Sequence, residues 1–273
     1  MRLSSEIPSA VFYRLFYQLK RQCLAMPFAM KSAVDNDFLS WQDAHTHALL
    51  TARDEVTFSA ALAEASSVLG FEYSAFGMRM PLPVSNPKFL MVNNYPVEWQ
   101  QRYAKENYLA LDPTVAHGLQ SVMPVVWSEK LFGAVPEFWE DAKGHGLQIG
   151  WAQSSIDVHG AIGMLTLARS SDALTPAELR ELMPRMQWLA KMATEGMLRM
   201  AAGQRPAEAP IRLTAREIEV LRWTADGKTS QEVGQIMAIS ERTVNFHINN
   251  SLLKLGANNK TSGVIKAALL RLL

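Results

Sequence analysis

Hydrophobic and polar positions along the 273-residue chain follow two different rhythms, which meet near residue 200. In the first part, helical and extended spacings alternate. Apolar residues recur at helical intervals over Asp37–Leu50 and Val56–Leu69, and Gly70 closes the second run. Phe71–Met80 and Lys88–Asn93 read as strands separated by the loop PLPVSNP, and Pro96 suits a helix start leading into VEWQQRYAKENY. Val125–Trp127 predicts a short strand, and Pro136–Lys143 a helix closed near Gly144 and Gly146. The apolar runs Trp151–Val158 and Ile162–Ala168 flank His159–Gly160 as a hairpin. Thr175 to Glu178 is a capping box with Pro176 at the first helical position, opening a helix to about Met200. Strands close in sequence and bracketed by helices predict an α+β fold, an α/β/α sandwich built on an antiparallel sheet.

The segment Ala201–Pro210, AAGQRPAEAP, is small, polar and twice broken by proline, and reads as a linker. Beyond it the pattern is helical throughout. Thr214–Glu217 and Thr229–Glu232 are capping boxes that each begin a helix. The first presents Ile218, Leu221 and Ala225 and ends at Gly227; the second presents Val233, Ile236 and Met237. Ala238-Ile239-Ser240 then turns the chain into a third helix with Ser240 as its N-cap. A short helix, a tight turn and a longer helix make a helix-turn-helix.

The third helix sorts its residues by face. Val244, Ile248, Leu252 and Leu255 form the apolar stripe, opposite Arg242, Asn245, Phe246, Asn249 and Asn250. Asparagine is a poor helix former, but its amide pairs with an adenine edge, and an exposed aromatic meets a thymine methyl. Lys228, Thr229, Ser240, Arg242, Thr243 and Lys254, with the free N–H groups at two helix starts, suit phosphate contacts. The last helix, Ser262–Leu272, is more apolar than a three-helix core requires, so its spare face either pairs with a twin module or closes the core.

Charge agrees with this division. Residues 211–273 carry nine Lys or Arg against five Asp or Glu, +4, which leaves −3 for the rest of a +1 chain. A basic module joined to a mildly acidic one points to nucleic acid. Other classes are excluded. No apolar run approaches the roughly 18–20 residues needed to cross a membrane. The single cysteine, Cys23, can form neither an intramolecular disulfide nor a paired-cysteine zinc site, which fits a cytoplasmic protein without a metal. The six histidines show no HxxxH cluster and no GxSxG elbow occurs, so no catalytic residues and no enzyme are expected. The doubly wound alternation of a phosphorelay receiver is absent too. Taken singly, Trp99, Tyr103 and Trp127 fit a plain aromatic core, and Asp112 before Pro113 fits a helix cap.

LTAREIEVLRWTADGKTSQEV and ISERTVNFHINNSLLKLGA resemble the LuxR-type helix-turn-helix domain, whose typical Glu217, Leu221 and Gly227 are present. NNYPVEWQQRYAKENYLALDPTVAH, PVVW, GLQIG and GAIGMLTL resemble the acyl-homoserine-lactone-binding domain of quorum-sensing LuxR-type regulators, over roughly residues 38–195. The resemblance implies a lactone-binding domain at 35–200, a linker at 201–210 and a DNA-binding domain at 211–273, and leaves residues 1–34 ahead of it as either an arm atypical of the family or a product of start assignment. It further implies that Trp99 donates to a lactone carbonyl and Asp112 accepts from the amide N–H. Tyr95 and Thr166 would then hold the acyl carbonyl, and Trp127 and Phe132 would pack the ring, with Thr114 in the contact set. Tyr103 and Gly150 match further positions, Gly150 for backbone packing; Gln100 departs from the arginine of some relatives, so no tail preference transfers. The implied protein is a cytoplasmic activator that needs no cofactor and binds, as a homodimer, a palindromic site on double-stranded DNA, with RNA polymerase as a partner and no membrane. A receptor without its own synthase, sensing foreign lactones or inhibiting a related regulator by mixed dimerisation, is the alternative.

Overall fold

The computed structural model describes residues 33–158, 160–203 and 211–273. The expected extension at 1–34 lies almost wholly outside them, as do His159 in the hairpin and residues 204–210 of the linker. The chain divides into two compact units, Met1–Asp43 and Ala44–Leu273. In the first, Phe38 stacks on Trp41 with ring centroids 6.3 Å apart, in the opening half of helix α1 (Ala33–Thr51).

The second unit holds the sandwich. Its five strands, β1 (Tyr73–Arg79), β2 (Phe89–Asn93), β3 (Val125–Val126), β4 (Ile149–Ile156) and β5 (Ile162–Arg169), lie in the order β2-β1-β5-β4-β3 and are antiparallel throughout. Alternation along the strands assigns two faces. One carries Phe76, Met78, Trp151, Leu165 and Leu167, all buried, and meets α2 (Glu55–Val68) and α7 (Pro176–Gly203). The other carries Ala75, Gly77, Ser154, Met164 and Thr166, and is covered by α3 (Val97–Lys105), α4 (Pro113–Gln120), α5 (Glu129–Phe132) and α6 (Pro136–Gly144). The expected sandwich is therefore the observed one. Two of its small helices, α4 and α5, carry too few residues to leave a periodic signature in the sequence.

α7 begins as the Thr175 capping box requires, and Glu178 also reaches back to grip Arg169 through a fork of 2.8 and 3.0 Å. Its linker-side end runs on to Gly203, so the first residues of the expected linker are helical.

The C-terminal domain comprises α8 (Ala215–Ala225), α9 (Ser230–Met237), α10 (Glu241–Leu255) and α11 (Lys260–Leu269). All three expected caps form: Thr214 with Glu217, Thr229 with Glu232, and Ser240 accepting from the Thr243 N–H at 3.1 Å. The buried face of α8 is Glu217, Val220 and Leu221, with Ala225 exposed, so the sequence stripe was rotated by one position. Glu217 belongs inside because it closes its own cap and meets Lys254 at 2.7 Å. On α11, Val264 packs inward with Leu270 and Leu272 of the following segment, while Ile265 and Ala268 stay exposed; most of that helix closes the core.

Candidate functional site

A cavity of about 310 Å³ lies between the second sheet face and the helices α3 to α6. One wall is aromatic, for a local reason. Helix α3 is amphipathic and buries Trp99, whose ring lies among Tyr103, Tyr108, Phe138 and His145 at centroid distances of 5.4–5.8 Å. Trp127, at the end of β3, lies flat over Gly150, which has no room for a β-carbon against the indole. Its ring meets Phe132 edge-on at 5.7 Å, and Phe132 stacks on Trp139 at 4.3 Å. Gly150 thus serves the close approach of Trp127, as expected of it.

The polar groups are few and converge. Asp112 caps α4: one carboxylate oxygen accepts from the Thr114 N–H at 2.8 Å and its hydroxyl at 2.6 Å, and the other from Tyr103 Oη at 3.1 Å. Burial pushes the carboxyl above the usual range, and the Thr114 and Tyr103 hydrogen bonds pull it back only in part. Burial and the Asp112 charge push the Tyr95 phenol up, and the same two causes act on Tyr103, so both remain protonated donors. Gln100 donates to the Tyr95 carbonyl at 2.7 Å, holding the turn before α3. The Trp127 indole N–H is buried and has no partner among the described residues.

Of the ligand residues expected from sequence, Tyr95, Trp99, Asp112, Trp127, Phe132 and Thr166 all line the cavity. Thr114 does not. It is buried behind Asp112 and acts on that carboxylate rather than on the cavity. Sequence reasoning missed Gly77, Ser154 and Met164, which line the same space. The period-two pattern of the strands held that signal, since all three share a face with Thr166.

The second site is the exposed side of α9 and α10. The turn between them is tight because a β-carbon on Gly234 would sit 2.8 Å from the Ile239 carbonyl, and Ala238 takes a left-handed φ of 54°. Lys228, Thr229, Ser240, Arg242, Phe246 and Asn249 are exposed, Phe246 to 60%. Arg242 and Asn249 make no side-chain hydrogen bond or ion pair among the described residues. Thr243 is half-buried, its hydroxyl 2.7 Å from that of Ser240. Two expected contacts are engaged elsewhere. Asn245 accepts from Ser230 Oγ at 2.8 Å, which in turn accepts from Lys260 at 2.8 Å, and Lys254 is bound to Glu217.

No helix among the described residues is long and apolar enough to cross a membrane, and no cluster of metal-ligating side chains occurs among them. Residues 54–197 match the model of an autoinducer binding domain, and residues 212–267 that of bacterial regulatory proteins, luxR family. The chain is 44% identical to the transcriptional activator protein AnoR of Acinetobacter nosocomialis, over 86% of this chain and 99% of that one. It is 34% identical to the HTH-type quorum-sensing regulator RhlR of Pseudomonas aeruginosa, over 88% and 99%. SdiA in complex with octanoyl-rac-glycerol superposes with a TM-score of 0.70 at 32% identity, covering 88% of this chain and 97% of that structure; SdiA is a regulatory protein of Escherichia coli.

Proposed function

This chain belongs to the LuxR family of quorum-sensing transcription regulators, and from that premise we propose that its cavity takes an N-acyl homoserine lactone and its helix-turn-helix a palindromic promoter. The observation that carries the ligand reading is Asp112, a carboxylate held in an aromatic cavity with Tyr95, Trp99 and Thr166 around the same space. A buried carboxylate calls for a donor, and the amide N–H of an acylated lactone supplies one without adding charge. The Trp99 indole and the protonated Tyr95 are donors suited to the lactone and acyl carbonyls, with Thr166 beside the latter. Trp127 and Phe132 offer ring faces to the lactone, and the rest of the lining is apolar enough for an acyl tail. The octanoyl chain held by SdiA supports an acylated ligand in this fold.

On DNA, Arg242, Phe246 and Asn249 enter the major groove, while Lys228, Thr229, Ser240 and Thr243, with the N–H groups opening α9 and α10, hold phosphates. Two such modules in a homodimer read half-sites one helical turn apart. The protein works in the cytoplasm beside RNA polymerase, and it activates transcription, a role that the name of the activator AnoR supports.

The test is the ligand itself. Full-length protein made in cells supplied with a panel of acyl homoserine lactones is purified, and the bound species is identified by mass spectrometry. An intact lactone, with soluble yield rising in its presence, is expected; a protein that folds and binds promoter DNA equally well in the absence of every lactone refutes the reading.

A further inference from the structure

Three helices of the C-terminal domain meet in one chain of hydrogen bonds. Ser230, the first residue of α9, is 8% exposed and reaches both α10 and α11. Its Oγ accepts from the Lys260 ammonium of α11 at 2.8 Å and donates to Asn245 Oδ1 of α10 at 2.8 Å. The direction of the chain follows from the chemistry of its members. An ammonium only donates, whereas a serine hydroxyl both donates and accepts. The Lys260 charge strengthens the hydroxyl as a donor, and an amide nitrogen turned toward the same oxygen would bring its positive end against the ammonium. The Asn245 amide is thus held with its oxygen inward and its nitrogen outward. That nitrogen has no hydrogen-bond partner among the described residues, and it keeps contact with solvent. Asn245 stands three residues after Arg242 and four before Asn249, so it shares their face of α10 with the exposed Phe246.

An asparagine reads adenine with both ends of its amide, accepting from the N6 amino group while donating to N7. With Oδ1 committed to Ser230, only the donating end of Asn245 is left. We propose that Asn245 reads the groove as a donor alone and selects a keto base, guanine or thymine, at one position of each half-site. Ser230 and Lys260 are the positioning residues that set its polarity. Guanine offers O6 and N7 as acceptors, and thymine offers O4. Adenine and cytosine turn an amino group into the groove, which meets the Asn245 N–H groups donor to donor. The choice of base at this position therefore depends on two residues that lie on other helices and touch no base themselves. This rests on the groove reading above, in which Arg242, Phe246 and Asn249 enter beside it. For Asn245 it replaces the adenine pairing expected of an asparagine from sequence.

The test selects duplexes from a pool randomised over about 20 base pairs, two half-sites one helical turn apart. Full-length protein made in the presence of acyl homoserine lactones binds the pool, and the bound fraction is sequenced. Asn245→Ala identifies the position that this residue reads, as the one whose preference it abolishes. There the wild type is expected to favour guanine or thymine about 3–10-fold over adenine and cytosine. Ser230→Ala and Lys260→Met free the amide to turn, so adenine rises at that position until the ratio is about one. Lys260→Arg, which keeps a charged donor, holds the wild-type ratio. Melting of each variant reports that it is folded, and Lys260 is exposed, so losing its ammonium tests the chain without opening the core. A Lys260 that only contacted phosphate would weaken all sequences alike and leave the ratio in place. The inference alone is overturned by a wild type that favours adenine or cytosine there, or by an Asn245→Ala variant that changes no position. Ser230→Ala and Lys260→Met variants that keep the wild-type ratio overturn it equally. A wild type that enriches no sequence from the pool overturns the groove reading, and this inference with it.

Discussion

At the scale of single residues, the cavity sets stability against function, and Asp112 shows the conflict. Its carboxyl is raised by burial, so the folded chain holds that proton more tightly than the unfolded chain does. The associated stability is present below the ordinary aspartate value of about 3.9 and is lost as pH rises from there through the folded value. Asp112→Asn removes the loss, and its amide keeps an oxygen for Thr114. Without ligand the variant should melt above wild type at pH 7, with the gap closing as pH falls toward about 4; it should also respond poorly to the lactone. A variant no more stable at neutral pH would show that the carboxylate is not strained by burial. Gly77 offers a different adjustment. Because a β-carbon there meets nothing within 4 Å, Gly77→Val should fold normally, discriminate against long acyl chains and retain short ones in a chain-length titration. On the DNA side, Asn249→Ala should cost about 1–3 kcal/mol at one base position per half-site, measured by binding to single-substituted operators.

At the scale of elements, legibility depended on whether the determinant was local. Caps were legible: Thr214, Thr229 and Ser240 each act within three residues, so the starts of α8, α9 and α10 could be read directly. The strands of the sandwich were legible as apolar runs bounded by turn residues, to within a residue or two. The face of α8 was not, because Glu217 is buried by an ion pair with Lys254, 37 residues away. For the same reason a lysine that looks free in sequence is engaged in the fold. Burial tends to raise the Glu217 carboxyl, but the Lys254 ammonium and the Thr214 hydrogen bonds outweigh it and hold it below its ordinary value. The two basic residues should therefore behave differently when mutated. Lys254→Ala should lower stability by about 1–3 kcal/mol in denaturant titration, by leaving the carboxylate without its charged partner. Lys228→Ala should leave stability alone and reduce the salt dependence of DNA binding by about one phosphate contact. A reduced salt slope for Lys254→Ala would return that lysine to the DNA interface. The site itself was half legible. Six lining residues followed from the resemblance, whereas Ser154 and Met164 required the register of β4 and β5, which pairs residues ten positions apart.

At the scale of the whole molecule, the helix-turn-helix belongs to one domain of the chain and the ligand-sized cavity to another. A largely apolar cavity of about 310 Å³ gains buried contact when a ligand fills it, and a domain's entire stability is only about 5–15 kcal/mol. A ligand that fills it contributes to folding as much as to signalling, so the soluble yield of full-length protein should scale with lactone supplied during synthesis; yield independent of lactone would separate the two roles. The bare backbone of Gly77 has a consequence for descent as well. Every glycine codon lies one base from an alanine and a valine codon, and the β-carbon that either adds meets nothing within 4 Å at that point of β1. A lineage can thus narrow or restore the range of chain lengths it hears by a single point mutation, with no compensating change in the core. Populations that share this fold can drift apart in the dialect they answer to while the promoters they control stay the same.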